Sequence, residues 1–180
     1  MSSDISDEAL REQLVQSSRL LYERGLIAGF DGNSSVRTER GTVLVTPAGV
    51  HKGLMNPRDV VELDLQTGAP VAGGQPTSEL SMHLAVLKQR SDVIAVVHSH
   101  APTAVAMSLL PHISINGVLP ELVIALGDVQ TVPYARPGTE ALAQRVARAL
   151  EHSNAVIIER HGTVAVGRTI SEALARTEMI

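Results

Sequence analysis

The stretch VVHSHAPT, Val96 to Thr103, places two of the chain's seven histidines one residue apart at the end of an apolar run. Side chains alternate faces along a strand, so positions i and i+2 point the same way. VIAVVHSH reads as a buried strand, which puts His98 and His100 on one face at its carboxyl end. Two imidazoles side by side can share one divalent metal. The plainer alternative is a pair of polar residues closing a strand.

Elements on both sides of this strand alternate between the two periodicities. Upstream, Leu80, Leu84 and Leu87 recur at helical spacing, so residues 79–90 are expected to be a helix, preceded by the Gly- and Pro-rich loop GAPVAGGQPTSE. VVELDL reads as a strand, TPAG as a tight turn, and SSVRTERGTVLVT as a hairpin around Arg40 and Gly41. Nearest the amino terminus, Ser6 is the expected N-cap of a helix carrying Leu10, Leu14, Val15 and Leu21, with Gly25 as its stop. Downstream, APTAVAMSLL is expected to be helical with Pro102 near its start, VQTVPY a short strand, and GTEALAQRVARAL a capped helix. NAVIIERHGTVAVG holds two apolar runs around His161 and Gly162, and Thr169 with Glu172 predicts a capping box on a last helix. With no repeat or linker, the mixture reads as one α/β or α+β domain over residues 1–180.

Composition narrows the function classes. The chain has 180 residues, 44% of them apolar, with one Phe, two Tyr and no Trp, so Val, Leu, Ile and Ala must build the core. Net charge is −4 and the basic residues are scattered, which argues against a nucleic-acid surface. No apolar run approaches the length of a membrane helix, and MSSDISDEAL has no secretory-signal pattern. The absence of cysteine excludes disulfides, a thiolate nucleophile and thiolate-bound zinc, and is compatible with a cytoplasmic location.

Four residues carry the chemistry. His98 and His100 share a face, His161 ends another apolar run before a glycine, and Glu79 opens a helix. Three imidazoles and a carboxylate suit Zn²⁺ or another borderline divalent ion such as Mn²⁺, Co²⁺ or Fe²⁺. Spacing alone does not bring Glu79 and His161 to the pair. His83, four residues after Glu79, is a competing ligand or a supporting residue, and a helix-surface position is favoured for it and for His152. The turns DGNSS and TPAG, with the hydroxyls of Thr77 and Ser78 at a helix amino terminus, are suited to an anion, although ordinary capping explains them equally.

GNSSVR, TPAG, PTSELSMH, VVHSHAPTAVA and ERHGTVAVGRTISEAL occur in an order that resembles the class II aldolase/adducin family, on the side of its L-fuculose-phosphate aldolases. The resemblance runs from about Leu10 to the end of the chain. It implies a three-layer αβα sandwich with a central, mainly antiparallel sheet, and a homotetramer with active sites between subunits. It also implies metal ligands at Glu79, His98, His100 and His161 and phosphate-binding residues at Asn33, Gly49, Thr77 and Ser78. Retention of all four ligands argues against the adducin-like, non-enzymatic branch. The implied activity is metal-dependent cleavage or formation of a small ketose phosphate through a metal-stabilised enediolate. Glu79 would move a proton, and Glu121 would serve as acid or base in a neighbouring subunit's site.

Two departures bear on the reaction. The aldolases place a tyrosine where LPELVIALG has Glu121, a carboxylate more like the family's methylthioribulose-phosphate dehydratases, while ribulose-phosphate epimerases have an aspartate there. The aldolases also continue past the point matching ARTEMI with a tail that holds a further tyrosine, so that tail is either lacking or cut short. Aldol cleavage, dehydration, decarboxylation and epimerisation all remain open. PHISINGVLPELVIALG is read as an interface segment, with a core strand as the alternative.

Overall fold

All five residues of Ala95–Ser99 are buried, so both faces of this strand are covered and it lies in the interior of the sheet. The computed structural model describes residues 6–110 and 114–180. In chain order the helices are α1 (Asp7–Glu23), α2 (Leu80–Gln89), α3 (Pro102–Ser108), α4 (Pro120–Leu126), α5 (Glu140–Ala149) and α6 (Ile170–Met179). The strands are β1 (Asn33–Arg37), β2 (Thr42–Val45), β3 (Val61–Asp64), β4 (Pro70–Ala72), β5 (Ala95–Ser99), β6 (Gln130–Val132), β7 (Ala155–Ile158) and β8 (Gly162–Gly167). They form one eight-stranded sheet in the order β4-β3-β2-β1-β5-β8-β7-β6. Among the described residues, every pairing is antiparallel except that of β6 with β7.

Period-two alternation divides the core between the faces. Val96, Val164, Val166, Val43 and Val45 pack against α2 and α5 through Met82, Val86, Leu87, Leu142 and Val146. Ala95, Val97, Val36 and Leu44 pack on the other face against Leu10, Leu14 and Leu21 of α1 and Ile170 and Ala173 of α6. Leu126 of α4 closes a smaller cluster with Ala155, Ile157 and Ala165. The result is the three-layer αβα arrangement with a mainly antiparallel sheet, and the Val/Leu/Ile/Ala composition is what fills it. No described helix is long and apolar enough to cross a membrane.

Local signals account for most boundaries. Ser6 Oγ accepts the Ala9 N–H at the start of α1, and Gly25 follows its end at φ +70°. Thr139 and Thr169 cap α5 and α6. The Glu172 carboxylate accepts the Arg168 N–H instead of closing a box onto Thr169.

Three expectations are corrected. The loop GAPVAGGQPTSE contains β4, a short exposed edge strand where Pro70 costs little because one side of the strand has no partner. The core-strand alternative for residues 111–127 does not hold, because Pro120–Leu126 is helical and residues 111–113 of that segment lie outside the described residues. His83 is not on the helix surface: it is fully buried on the inner face of α2, beside Met82, Val86 and Leu87. His152 is exposed as expected, but in the bend that follows α5 rather than on a helix.

Candidate metal centre

Alternation along β5 carries His98 onto the Val96 face, the face covered by α2, and His100 follows one residue beyond the strand. Asn33 of β1 pairs in register with His98, while Thr163 of β8 pairs with Ser99. The turn between β7 and β8 delivers His161, with Arg160 in the left-handed region at φ +57°. Gly162 makes this close approach feasible, since a Cβ there would stand 2.1 Å from the Ser99 carbonyl oxygen and 3.1 Å from the His100 ring. Glu79 enters from the start of α2, where the Thr77 hydroxyl accepts its N–H at 3.3 Å.

Glu79, His98, His100 and His161 therefore converge, each offering one ligand atom, and these atoms lie within 4.8 Å of one another. The Nε2 atoms of His98 and His100 are 3.0 Å apart. Glu79 Oε2 is 3.1 Å from His98 Nε2, and Oε1 is 3.4 Å from His161 Nε2. Ring centroids of the three imidazoles are separated by 4.8 to 5.1 Å.

The donor set fits a bound cation on the chemistry of one ring. His98 Nδ1 is 2.8 Å from the Thr163 carbonyl oxygen, which can only accept, so Nδ1 carries the hydrogen. Nε2 of the neutral ring is then a lone pair aimed at a carboxylate oxygen and a second imidazole nitrogen. Such an arrangement is repulsive without a proton or a metal among the lone pairs. Holding the distal ring nitrogen by a carbonyl is also the usual means of orienting a ligating histidine. Glu79 Oε1 is buried without a hydrogen-bond partner, 3.4 Å from His161 Nε2.

The electrostatics agree. Burial by itself would raise the Glu79 carboxyl, but the imidazole of His98, its hydrogen bond, the amide of Asn33 and the more distant His161 together hold it below the usual carboxylate range. Burial pushes His161 down to about 4, with a further push from His98. His100 is lowered for the same reasons, partly offset by Asp31, whose Oδ2 is 3.8 Å from His100 Nδ1. The site therefore keeps a carboxylate at Glu79 and neutral imidazoles at His100 and His161 near pH 7, the protonation states that ligate metals.

The centre opens into a cleft of about 400 Å³. Asn33, Gly49, Thr77 and Ser78 line this cleft beside Glu79, His100 and His161, so the expected anion-binding residues and metal ligands meet in one cavity. Gly49 has φ +67°, in the left-handed region of the TPAG turn, and the bridge between Pro47 and Pro76 ties that turn to the segment holding Thr77 and Ser78. Glu121 is elsewhere: it is exposed in the first turn of α4 and does not line the cleft.

Three contributors, Ser35, Asp31 and Lys52, carry no mark in the sequence reading. Ser35 Oγ donates to His83 Nδ1, His83 Nε2 donates to Asn33 Oδ1, and Asn33 Nδ2 donates to Glu79 Oε2. Asn33 and Ser35 share a face of β1 by the same i, i+2 rule that pairs the histidines, so that alternation was the available signal. Asp31, at the rim of the cleft, follows a turn, and Lys52, at its wall, opens the single 3-10 turn Lys52–Leu54, which is too short for a periodicity to mark it.

Comparison with known proteins is consistent across sequence and structure. The family described as "Class II Aldolase and Adducin N-terminal domain" matches residues 12–180. A 3-oxo-tetronate 4-phosphate decarboxylase of Haemophilus influenzae is 33% identical over 97% of this chain and 84% of its own length. An L-fuculose phosphate aldolase of Methanococcus maripaludis is 33% identical over 93% of this chain and 90% of its own. Among solved structures, YgbL of Klebsiella pneumoniae superposes with a TM-score of 0.92 at 33% identity, covering 97% of this chain and 86% of that one. An L-fuculose-1-phosphate aldolase of Thermus thermophilus gives 0.83 at 30% identity, covering 94% and 87%. On a match that spans nearly the whole chain, with relatives a third identical in sequence and alike in fold, the chain belongs to the class II aldolase and adducin N-terminal domain family.

Proposed function

We propose that this chain is a metal-dependent lyase that breaks or forms a carbon–carbon bond beside the keto group of a small phosphorylated sugar or sugar acid. The observation that carries this reading is the approach of Glu79 Oε2 to the lone-pair nitrogen of His98, inside a cleft that also holds Asn33, Gly49, Thr77 and Ser78. Glu79, His98, His100 and His161 would hold a divalent metal, Zn²⁺ or a similar ion. Bound there, it would supply Lewis-acid stabilisation of the negative charge that develops on the keto oxygen.

The chain's own residues account for the remaining steps. The turn amide of Gly49, the amide of Asn33 and the hydroxyls of Thr77 and Ser78 bind the phosphate, which fixes the reacting carbons against the centre. In the cleavage direction, Glu79 Oε1 accepts the proton of the hydroxyl beside the scissile bond. The bonding pair moves toward the keto group, an aldehyde leaves, and a proton returned to carbon completes the second product. Asn33 Nδ2 holds Oε2 during this transfer, leaving Oε1 as the mobile end of the carboxylate.

Decarboxylation is the second reading. It uses the same electron movement with carbon dioxide as the departing group. The 33% identity to the Haemophilus influenzae decarboxylase supports it, as does a glutamate at position 121 in place of a tyrosine. A homo-oligomer, a tetramer by the resemblance, with Glu121 reaching a neighbour's cleft, completes the proposal. Val123 and Ile124 of α4 are 51% and 85% exposed, an apolar surface suited to a subunit contact. Product analysis on L-fuculose 1-phosphate and on a 3-oxo-tetronate 4-phosphate tests the choice. Two carbonyl products from the first mean aldol cleavage, carbon dioxide from the second means decarboxylation, and neither product from any phosphorylated keto substrate would refute the lyase reading.

A further inference from the structure

Lys52 is one of two lysines in the chain, and it is only 2% exposed. Its Nζ donates to the carbonyl oxygens of Pro47 at 3.0 Å and Val50 at 2.9 Å, the residues that bracket the turn of Gly49. An ammonium has three donors, so one is left. Among the described residues no carboxylate oxygen stands within 4.0 Å of this Nζ. The acid that acts on it is Asp31, at longer range and half exposed at the rim of the cleft. A buried charge without an ion-pair partner is costly, and proteins keep one where a ligand supplies the counter-charge. Lys52 also lines the same cleft as Gly49, Thr77 and Ser78.

We propose that Lys52 is a substrate-binding residue, its ammonium supplying the positive charge of the phosphate subsite and its third N–H bonding a phosphate oxygen. The proposal rests on the reading of the cleft as a phosphate-ester site. Asn33, Gly49, Thr77 and Ser78 offer only neutral dipoles, whereas a phosphate monoester carries nearly two negative charges near pH 7. An ammonium anchored to the carbonyls on both sides of Gly49 places the compensating charge at the turn that presents the amide, away from the metal ligands. Burial pulls the Lys52 ammonium down from its ordinary range, and an anion beside it would reverse that shift.

The test uses the metal-loaded protein and inorganic phosphate. Phosphate should raise the thermal midpoint of the wild type, and Lys52→Gln should weaken its binding by about tenfold or more, the scale of one charge-assisted hydrogen bond. Lys52→Arg, which keeps the charge, should retain most of the affinity. Lys52→Met keeps the aliphatic stem and replaces the Gln variant if that chain does not fold. A measurement without substitution stands beside these: in protein labelled with ¹⁵N-lysine, phosphate should move the Nζ resonance of Lys52 and leave exposed Lys88 unmoved. A role limited to clamping the turn would lower stability in all buffers without altering the phosphate-dependent gain. Equal phosphate affinity in wild type and Lys52→Gln, or an unmoved Lys52 resonance in wild type that does bind phosphate, overturns the role of Lys52 alone. No phosphate binding by the wild type overturns the subsite and the proposal together.

Discussion

His83 Nε2 stands 2.5 Å from Asn33 Oδ1, and this contact fixes the other end of the asparagine on the Glu79 carboxylate. The amide oxygen can only accept, so the imidazole donates through Nε2 and accepts the Ser35 hydroxyl at Nδ1. Asn33 then has one orientation, with Nδ2 on Glu79 Oε2 at 3.1 Å. His83→Ala removes a fully buried ring and leaves the Ser35 hydroxyl and the Asn33 amide oxygen without that partner. A loss of roughly 2–4 kcal/mol in denaturant unfolding is expected, with metal affinity weakened about tenfold or more by the loosened Glu79. Unchanged metal affinity in a folded variant would show that the relay does not position the carboxylate.

The same burial predicts a pH dependence. Desolvation pushes His83 down to about 3 in the folded protein, with the charge of His98 adding to the effect, against an ordinary value of 6.5. Between these values the unfolded chain binds a proton that the folded chain does not. Stability is therefore complete above pH 6.5 and falls as the pH drops toward 3, by up to about 1.4 kcal/mol per pH unit from this group. Denaturant unfolding of metal-free protein across this window should show the slope, and His83→Gln should lower it by up to one proton's worth, leaving the part that the lowered His100 and His161 contribute. A variant with the wild-type slope would assign the proton uptake to another group.

Metal content is expected to depend on each imidazole. His98→Ala removes the ring shared between the Glu79 contact and the Thr163 carbonyl and should abolish bound metal in elemental analysis, with the circular dichroism spectrum retained. Stoichiometric metal in that variant would place the ion elsewhere.

Phosphate or sulfate should protect the fold against heat through the Gly49, Thr77 and Ser78 subsite, by mass action on the native state. Ser78→Asp puts a negative charge at that surface and should cancel the protection. Protection that survives the substitution would remove Ser78 from the subsite.

Ile124→Glu should dissociate an oligomer formed through the exposed face of α4, read by sedimentation velocity. Refolded mixtures of Glu121→Gln and His98→Ala chains should regain part of the activity lost in each, because a shared site can pair an intact glutamate with an intact metal centre. Hybrids without recovery would show that Glu121 has no role in a neighbour's site.

The amino-acid sequence determined the layers and the pair. The alternation of VIAVVHSH, the leucine spacing of α2 and the caps at Ser6, Thr139 and Thr169 are local properties, so each could be read before any contact was known. The i, i+2 relation put His98 and His100 on one face for the same reason. Convergence was a different matter. Glu79 and His161 reach the pair only because β1 and β8 flank β5 and α2 lies across the Val96 face, relations between segments far apart in the chain. The burial of His83 is not legible along the chain, because a histidine on a helix is favoured outside unless both nitrogens have partners, and those partners, Asn33 and Ser35, lie on β1. Lys52 carries no signal, since it opens a single 3-10 turn and its burial follows from how its ammonium folds back onto the carbonyls of Pro47 and Val50. Periodicity is written along the chain, whereas a site is made where distant segments cross, and only the tertiary structure decides which ones do.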